Sequence, residues 1–312
     1  MLRVRMMSGG DVAALPLEEL GDALGLTEQP DRPVRSLKRR LERQCGQPRF
    51  RQRLLCENGA VLQDDAPLEG HAELQLVLLD LGQTSQDQAA ELIVAADDNN
   101  TSKVEILLQR PQDPNLAVRG HTPLFCAAFR GHLQVVSLLL EASADADKPR
   151  YDDGATPLFV ACQYGHLEVV QTLLQMRADQ DRDVKDGPTP LIIACQSNFV
   201  DVVRLLLAAL ADSNKADPIG GTPLSMASAL GCLEILGLLL EANADKDRPQ
   251  RDGMTPLFFA CQGNDAEVVR ILLDARADKD KACHDGATPL SVARQKRHED
   301  VVRLLQVACD KA

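Results

Sequence analysis

The sequence predicts a mostly α-helical solenoid, built from about seven stacked helix-loop-helix units and preceded by a small α+β domain. Three observations lead to this prediction: a dipeptide returns at a fixed interval, two short amphipathic stretches follow each copy, and the first eighty residues lack the period. The dipeptide is Thr-Pro, at Thr122, Thr156, Thr189, Thr222, Thr255 and Thr288. The intervals are 34, 33, 33, 33 and 33 residues, and such a period is typical of a solenoid.

Composition and charge exclude several classes of function. The chain has 312 residues, of which 45% are hydrophobic, but it contains no tryptophan and only two tyrosines. This composition favours many thin helical layers over one thick core. The net charge of −12 argues against nucleic acid and anionic membrane as partners, because phosphate binding requires a basic surface. The start, MLRVRMMSGGD, lacks the apolar core of a signal peptide, and no apolar run is long enough to span a membrane.

The nine cysteines are interpreted as buried thiols rather than as disulfides. Cys162, Cys195 and Cys261 occupy the same position in three different units. Stacked helices lie about 8–10 Å apart, which exceeds the ~7 Å limit between the Cα atoms of a disulfide. Free thiols are typical of a reducing compartment, so we expect a cytoplasmic location that can extend to the nucleus.

Each unit begins with the pattern Gly-x-Thr-Pro-Leu. A glycine two residues before the threonine permits a tight turn with positive φ, threonine is a good N-cap, and proline suits the first helical position. The pattern predicts a short first helix, with Leu158 and Ala161 on its buried side. The six turn glycines are Gly120, Gly154, Gly187, Gly220, Gly253 and Gly286.

A second helix follows a glycine or asparagine break in each unit. In one copy Leu167, Val170 and Leu174 are spaced three and four residues apart, which predicts an amphipathic helix. The helix is followed by an acidic stretch such as ADKDRPQRDG at 244–253, which is expected to form a projecting, solvated turn. One unit of this kind cannot bury its apolar face alone, so neighbouring units must stack.

The pattern G-x-T-P-L-x-x-A, followed by G-H-L-E-V-V, L-L-L and A-D, closely resembles the ankyrin repeat. The resemblance implies an ankyrin repeat domain at 87–312, with a degenerate first repeat at 87–120 that acts as a cap. Further repeats are expected to start near residues 121, 155, 188, 221, 254 and 287. The usual histidine after Thr-Pro-Leu is replaced here, which predicts less rigid loops; the replacements are Phe125, Phe159, Ile192, Ser225, Phe258 and Ser291.

Residues 1–81 form a separate domain, joined by a polar linker at 82–86. MLRVRMM predicts a strand, SGG a hairpin turn and DVAAL the returning strand. Val34, Leu37, Leu41 and Cys45 lie on one face of a predicted helix. RFRQRLLC (49–56) and LQLVLL (74–79) are predicted as two more strands.

This order of elements, together with VRSLKRRLERQCG-QP, QRLL followed by NG, and LQDDAPL followed by LQLVLL, resembles ubiquitin. The likeness departs from ubiquitin in an insertion at 25–33 and in the absence of a free terminal diglycine, so attachment to substrates is not expected. It implies an apolar recognition patch at Met7, Leu55 and Val77. The alternative is that these three are ordinary strand residues.

A basic run from Arg32 to Arg53 contains nine Arg or Lys residues and one Glu. A solvated helix face with a basic loop explains it. The alternative is an acidic partner. One such partner would be the projecting acidic turns between repeats of the same chain, which we call finger tips.

No known catalytic or metal-binding motif is present. The sequence has no P-loop, G-x-G-x-x-G, G-x-S-x-G, H-E-x-x-H or C-x-x-C, so we predict no enzyme, no metal site and no cofactor. His132, His166 and His298 share one repeat position, where packing and capping explain them. Cys283, His284 and Asp285 resemble a catalytic cluster, but adjacent residues rarely aim at one substrate.

The resemblance to ankyrin repeats implies that a partner protein binds the finger tips and the ends of the first helices on a concave surface. Both tyrosines, Tyr151 and Tyr164, fall in one unit, close to the extra residue of the 34-residue interval. Tyrosine and arginine are enriched in binding hot spots, although two tyrosines could also be exposed by chance. The predicted partner-binding residues are Phe129, Arg130, Tyr151, Asp152, Asp153, Gln163, Tyr164, Lys185, Asp186, Gln196, Ile219, Arg251, Asp252, Gln262, His284 and Asp285.

Three functions remain open at this stage. The first is a monomeric, non-catalytic adaptor or scaffold that binds a protein with a basic or amphipathic segment through the repeats and a second protein through the ubiquitin-like domain. The second is a ubiquitin–proteasome pathway regulator or substrate-delivery factor. The third is an enzyme whose catalytic part is unlike the known motifs or lies outside this sequence.

Overall fold

The computed structural model describes residues 2–6, 11–15, 33–68, 73–81, 84–110 and 112–307. The chain forms two compact units. Unit 1 contains residues 1–127 and 134–145, and unit 2 contains residues 128–133 and 146–312. The hairpin turn predicted at Ser8–Gly10, Met7 of the predicted patch and most of the insertion at 25–33 lie outside the described residues.

The N-terminal part of unit 1 is a small mixed sheet with one helix. The elements are β1 (Leu2–Met6), β2 (Asp11–Leu15), α1 (Pro33–Cys45), β3 (Gln52–Leu55) and β4 (Glu73–Leu78). The strand order is β2-β1-β4-β3, with β1 and β4 parallel and the outer pairs antiparallel. This topology is compatible with the ubiquitin-like resemblance.

Helix α1 covers the sheet through the face that the sequence predicts. Val34, Leu37 and Leu41 are fully buried, and they share a core with Leu54 and Leu76 of the sheet. The strand predicted over 49–56 begins only at Gln52, because Arg49–Arg51 form a single 3₁₀ turn in which the Arg51 amide donates to the Pro48 carbonyl at 2.8 Å. That turn moves the basic residues before β3 out of the sheet.

Seven helix pairs follow in the described residues. The helices are α2 (Gln86–Asp97), α3 (Thr101–Leu108), α4 (Pro123–Arg130), α5 (Leu133–Glu141), α6 (Pro157–Tyr164), α7 (Leu167–Gln175), α8 (Pro190–Gln196), α9 (Val200–Ala208), α10 (Pro223–Leu230), α11 (Leu233–Glu241), α12 (Pro256–Gly263), α13 (Ala266–Asp274), α14 (Pro289–Gln295) and α15 (Glu299–Val307). The predicted solenoid of short helix pairs is confirmed. Ser85 caps α2, so the helix begins at the last residue of the predicted linker; the domain limits themselves stay a prediction.

The six threonines cap the first helices as predicted. Each hydroxyl accepts a hydrogen bond from the backbone amide three residues later, at 3.1–3.2 Å. In two repeats the residue that replaces the usual histidine completes a capping box: the Ser225 and Ser291 hydroxyls accept from the amides of Thr222 and Thr288. These serines therefore take over a hydrogen-bonding role at the helix start.

Gly187 does not have the positive φ that the sequence pattern predicts. The other five turn glycines have it, whereas in this turn the left-handed residue is Asp186, with φ 52°. Gly187 precedes Pro188, and the residue before a proline is restricted to extended conformations. The left-handed position therefore moves back by one residue.

Of the three positions predicted for the buried stripe of a second helix, only Val170 is fully buried. In α7 the buried side chains are Val169, Val170 and Leu173, while Leu167 and Leu174 are half-buried. Helix α7 contacts both α6 of its own repeat and α9 of the next. Because it packs on two sides, two adjacent positions are buried together. In α6, Leu158 and Ala161 are buried as predicted.

The acidic loops after the second helices are not merely solvated, which corrects the sequence interpretation. A carboxylate or amide oxygen in each loop accepts the backbone amide of the equivalent loop in the next repeat. The pairs are Asn115–Asp145, Asp147–Asp179, Asp181–Asp212, Asn214–Asp245 and Asp247–Asp278, at 2.7–2.9 Å. We name this series the loop ladder; it links successive repeats within each unit.

Candidate protein-binding surface

The finger tips of unit 2 are hydrogen-bonded turns that join along the solenoid. The amide of Lys185 donates to the Asp153 carbonyl at 2.7 Å, that of Arg251 to Ile219 at 3.0 Å, and that of His284 to Asp252 at 2.8 Å. Asp153, Asp252 and Asp285 also accept, through their side chains, the amide two residues later. These three predicted binding residues therefore have a structural role in the turns.

The finger with the extra residue has a wider turn than the others. The Gly154 amide donates to the carbonyl of Arg150, four residues earlier, whereas the corresponding bonds at Gly187, Gly220, Gly253 and Gly286 span three residues. The Arg150 guanidinium pairs with Asp153, with Nε–Oδ1 at 2.8 Å. This hydrogen bond lowers the pKa of the Asp153 carboxyl. The wider turn leaves Tyr151 and Asp152 exposed at its tip.

An aromatic cluster lies at the ends of helices α4 and α6, among residues of unit 2. The rings of Phe129 and Tyr164 meet edge to face, with centroids 4.7 Å apart. Arg130 lies 5.5 Å from the Phe129 ring centroid, and the His166 ring stacks at 6.3 Å from Tyr164. Tyr164 remains 48% exposed. The cluster therefore offers an aromatic and cationic surface to solvent.

Tyr151 does not join this cluster through its ring. Its side chain is 89% exposed, and among the described residues it has no ring partner. The sequence therefore predicts the shared repeat correctly, but only Phe129, Arg130 and Tyr164 of the aromatic group come together.

The remaining predicted binding residues lie further along unit 2. Ile219 is exposed on its finger, and exposed Leu230 ends helix α10; Leu230 was not among the predicted site residues. Gln196 is exposed and its amide reaches the Met226 sulfur at 3.5 Å. Gln163 and Gln262 are half-buried. The exposed residues on the later fingers are Lys185, Asp186, Arg251, Asp252, His284 and Asp285.

The repeat histidines contribute to packing. Nε2 of His166 lies 3.0 Å from the Phe129 carbonyl, and Nδ1 of His298 lies 2.9 Å from the Cys261 carbonyl. Each ring therefore ties the start of a second helix to the preceding repeat, in line with the sequence interpretation.

Cys283 and Asp285 are arranged against nucleophilic chemistry. The thiol donates to the Asp285 carboxylate at 2.8 Å. Burial, together with this carboxylate, raises the pKa of Cys283, whereas a nucleophile needs a lowered one. Burial also raises the pKa of Cys162 and Cys195, and that of Cys261 to about 12. All three are free and buried, as predicted.

Within the part of the chain that the structure describes, no group of His, Cys, Asp and Glu side chains could hold a metal ion. Over the same residues, no helix is long and apolar enough to cross a membrane.

Two of the three predicted ubiquitin-like patch residues can be placed. Arg53 and Val77 face each other across β3 and β4, and Leu55 pairs with Gln75. Leu55 and Val77 therefore share the outward face of this strand pair, where both are half-exposed.

The basic run is only partly a solvated face, on which Arg39 and Arg43 are exposed. Arg35, Lys38 and Arg49 are buried and paired with carboxylates. The partners belong to the same chain, as the alternative interpretation suggested, but they are not finger tips. Glu105 lies in α3, Glu141 ends α5 and Asp64 follows β3. The sequence carries no pattern that would single out these three carboxylates among its 46 acidic residues.

Comparison with known families agrees with this architecture. Ankyrin repeats match in three copies, over residues 92–183, 177–250 and 242–312. The chain therefore belongs to the ankyrin repeat family, whose repeats are interaction modules for protein partners and are typically non-catalytic.

Short segments of the chain are similar to longer curated proteins. Over 85 residues it is 36% identical to oxysterol-binding protein-related protein 1 of Rattus norvegicus and of Mus musculus. Over 88 residues it is 34% identical to the protein of the same name from Homo sapiens. These matches cover 26–27% of this chain and 9% of each relative.

Proposed function

We propose that this protein is a non-catalytic adaptor or scaffold that binds a partner protein through the finger tips and first-helix ends of unit 2. The supporting observation is the exposed cluster of Phe129, Tyr164 and Arg130 beside the widened finger that carries Tyr151. We also propose that the protein is a monomer and that its N-terminal domain is a second docking module.

The chemistry of this surface favours a partner with a basic or amphipathic segment. Aromatic rings attract cations to their faces and offer apolar area for packing. Asp152 and Asp186 are exposed on adjacent fingers and add negative charge. A segment that places a basic residue near these carboxylates and an apolar residue on Tyr164 would match both features.

Capture of partners by the full chain tests the proposal. The variant Phe129→Ala/Tyr151→Ala/Tyr164→Ala is expected to lose a partner that the natural sequence retains, because hot-spot truncations cost about 2 kcal/mol or more. The matched control is Met176→Ala/Leu210→Ala, which removes apolar side chains that are 53% and 83% exposed on other loops. Equal capture by all three proteins would contradict the proposal, provided that circular dichroism shows equal helicity.

A role in the ubiquitin–proteasome pathway is the second candidate, since Leu55 and Val77 share a half-exposed strand face. Under this hypothesis, Leu55→Glu/Val77→Glu abolishes association with the proteasome and leaves the partner of the repeats bound. Proteasome association that survives the two charges would exclude it.

A further inference from the structure

The side chains that join the N-terminal domain to the first repeats form a buried cluster of charges inside unit 1. Arg49 is at its centre and is 1% exposed. Its guanidinium contacts three carboxylates from a turn and two helices: Asp64 at 2.8 Å, Glu105 at 3.3 Å and Glu141 at 2.8 Å. It also lies 3.7 Å from the centroid of the Phe50 ring.

Helix α1 supplies the other cations. Arg35 contacts Glu105 at 3.3 Å and Glu141 at 3.6 Å, Lys38 donates to Asp64 at 2.7 Å, and Arg39 pairs with Glu141. Arg35 and Arg39 thus pair with Glu105 and Glu141, which come from successive repeats, and Lys38 pairs with Asp64 of the N-terminal domain.

The cluster contains both signs of charge. Glu42 also lies within it, and burial together with the nearby Glu141 raises the pKa of Glu42. Four cations, Arg35, Lys38, Arg39 and Arg49, face four carboxylates, Glu42, Asp64, Glu105 and Glu141, and Arg53 interacts with Asp64 as well. Buried charges are costly unless they are paired, so these pairs favour the observed placement of the domain on the first repeats.

A second contact lies beside the cluster. The Arg53 guanidinium donates to the carbonyl of Gln109, the residue that caps the C-terminus of α3. Unassisted helix ends leave such carbonyls without partners. The N-terminal domain thus satisfies a polar group of the first repeat, as well as pairing its carboxylates.

We propose that the N-terminal domain is a fixed cap on the first two repeats. Arg49 links their second helices, α3 and α5, through Glu105 and Glu141, and these repeats depend on the domain for their stability. The grouping of residues 1–127 with 134–145 in one compact unit agrees with this assignment. The buried cations Arg35, Lys38 and Arg49 are then occupied within the chain.

Hydrogen exchange on the full chain tests this cap. In Arg49→Met, three partly buried carboxylates lose a partner, and we expect amide exchange in both α3 and α5 to be at least about tenfold faster. Arg49→Lys keeps the charge but not the fork of donors, so a smaller acceleration is expected there. The control is Arg270→Met, which removes an exposed pair with Glu267 in unit 2 and should leave α3 and α5 unchanged.

Two results would overturn the proposal. If exchange accelerates in α1 while α3 and α5 are unchanged, the repeats carry the domain but do not need it. If none of the three helices changes, the cluster does not hold the domain. Should Arg49→Met fail to fold, the same comparison is made with Arg49→Lys, for which unchanged exchange in α3 and α5 contradicts the cap.

Discussion

At the scale of the residue, the repeat is defined by a few positions whose backbone geometry tolerates little change. Gly165 ends helix α6 with φ 72°, and a Cβ built there would lie 2.7 Å from the ring of Phe199 in the next repeat. The left-handed conformation and the close ring act together. Sequence reasoning finds the first, because glycine is the usual residue there, but it cannot find the second.

Gly165→Ala is expected to lower the free energy of unfolding by more than about 1 kcal/mol, since a left-handed alanine alone costs about 1–2 kcal/mol. Gly237→Ala is the matched control. Gly237 lies inside helix α11, and a Cβ there would meet nothing within 4 Å, so the control should stabilise the protein by about 0.5–1 kcal/mol. Urea denaturation measures both, and a stabilising Gly165→Ala would contradict the packing described.

Burial of the repeat cysteines also has a testable chemical consequence. Burial raises the pKa of Cys162, Cys195 and Cys261, and the thiolate is the reactive form. In the folded protein at pH 8 these three thiols should resist alkylation, and all should react in urea. Mass spectrometry of iodoacetamide-treated protein measures the modification of each thiol. Rapid modification of any of the three in the folded state would show that this cysteine is accessible to solvent and would contradict its burial.

At the scale of the element, the helices could be predicted and the links between them could not. Thr-Pro-Leu, the breaks at Gly165 or Asn264 and the amphipathic second helices are local signals. The loop ladder is invisible in sequence, because each rung joins residues about thirty apart. From sequence alone Asp181 is therefore predicted to be a solvated charge, although its side chain accepts a hydrogen bond from the Asp212 amide at 2.9 Å.

The ladder predicts a difference between two substitutions at Asp181. Asn214 occupies the equivalent position in the next repeat, so Asp181→Asn keeps an acceptor oxygen and should change stability little. Asp181→Ala removes the acceptor of the Asp212 amide and should cost about 1 kcal/mol. Chemical denaturation of both variants checks this, and equal stabilities would show that the rung contributes nothing.

At the scale of the whole molecule, the sequence predicts the order of domains but not how the N-terminal domain meets the repeats. The basic residues of α1 are evident in the sequence. Their partners, Glu105 and Glu141, lie on the second helices of separate repeats, and only the fold of unit 1 brings them to Arg49. The candidate binding surface could not be predicted fully from sequence either, because the contact between Phe129 and Tyr164 depends on how the repeats stack.

The charge cluster makes part of the stability dependent on acid. Burial alone would raise the pKa of Glu141 and of Asp64, but Arg49 holds the pKa of Glu141, and Lys38 that of Asp64, below the ordinary value. A carboxyl with a lowered folded pKa contributes stability that is complete above its unfolded pKa of about 4, and this contribution is lost as the pH falls below that value through the lower folded pKa. Glu42, with its raised pKa, acts in the opposite direction.

Thermal unfolding at pH 7 and pH 3.5 is expected to show a larger loss for the natural sequence than for Glu141→Gln, which lacks this titration. Equal losses in the two proteins would show that Glu141 does not contribute to the acid dependence.

The most direct test of the proposed binding surface is hydrogen exchange of the full chain with and without a captured partner. We predict that the partner slows exchange in the segment from Arg150 to Gly165, which holds the widened finger and Tyr164, and leaves the strands β3 and β4 unchanged. Protection confined to β3 and β4, or to the loop ladder, would contradict the assignment of the aromatic cluster as the binding site.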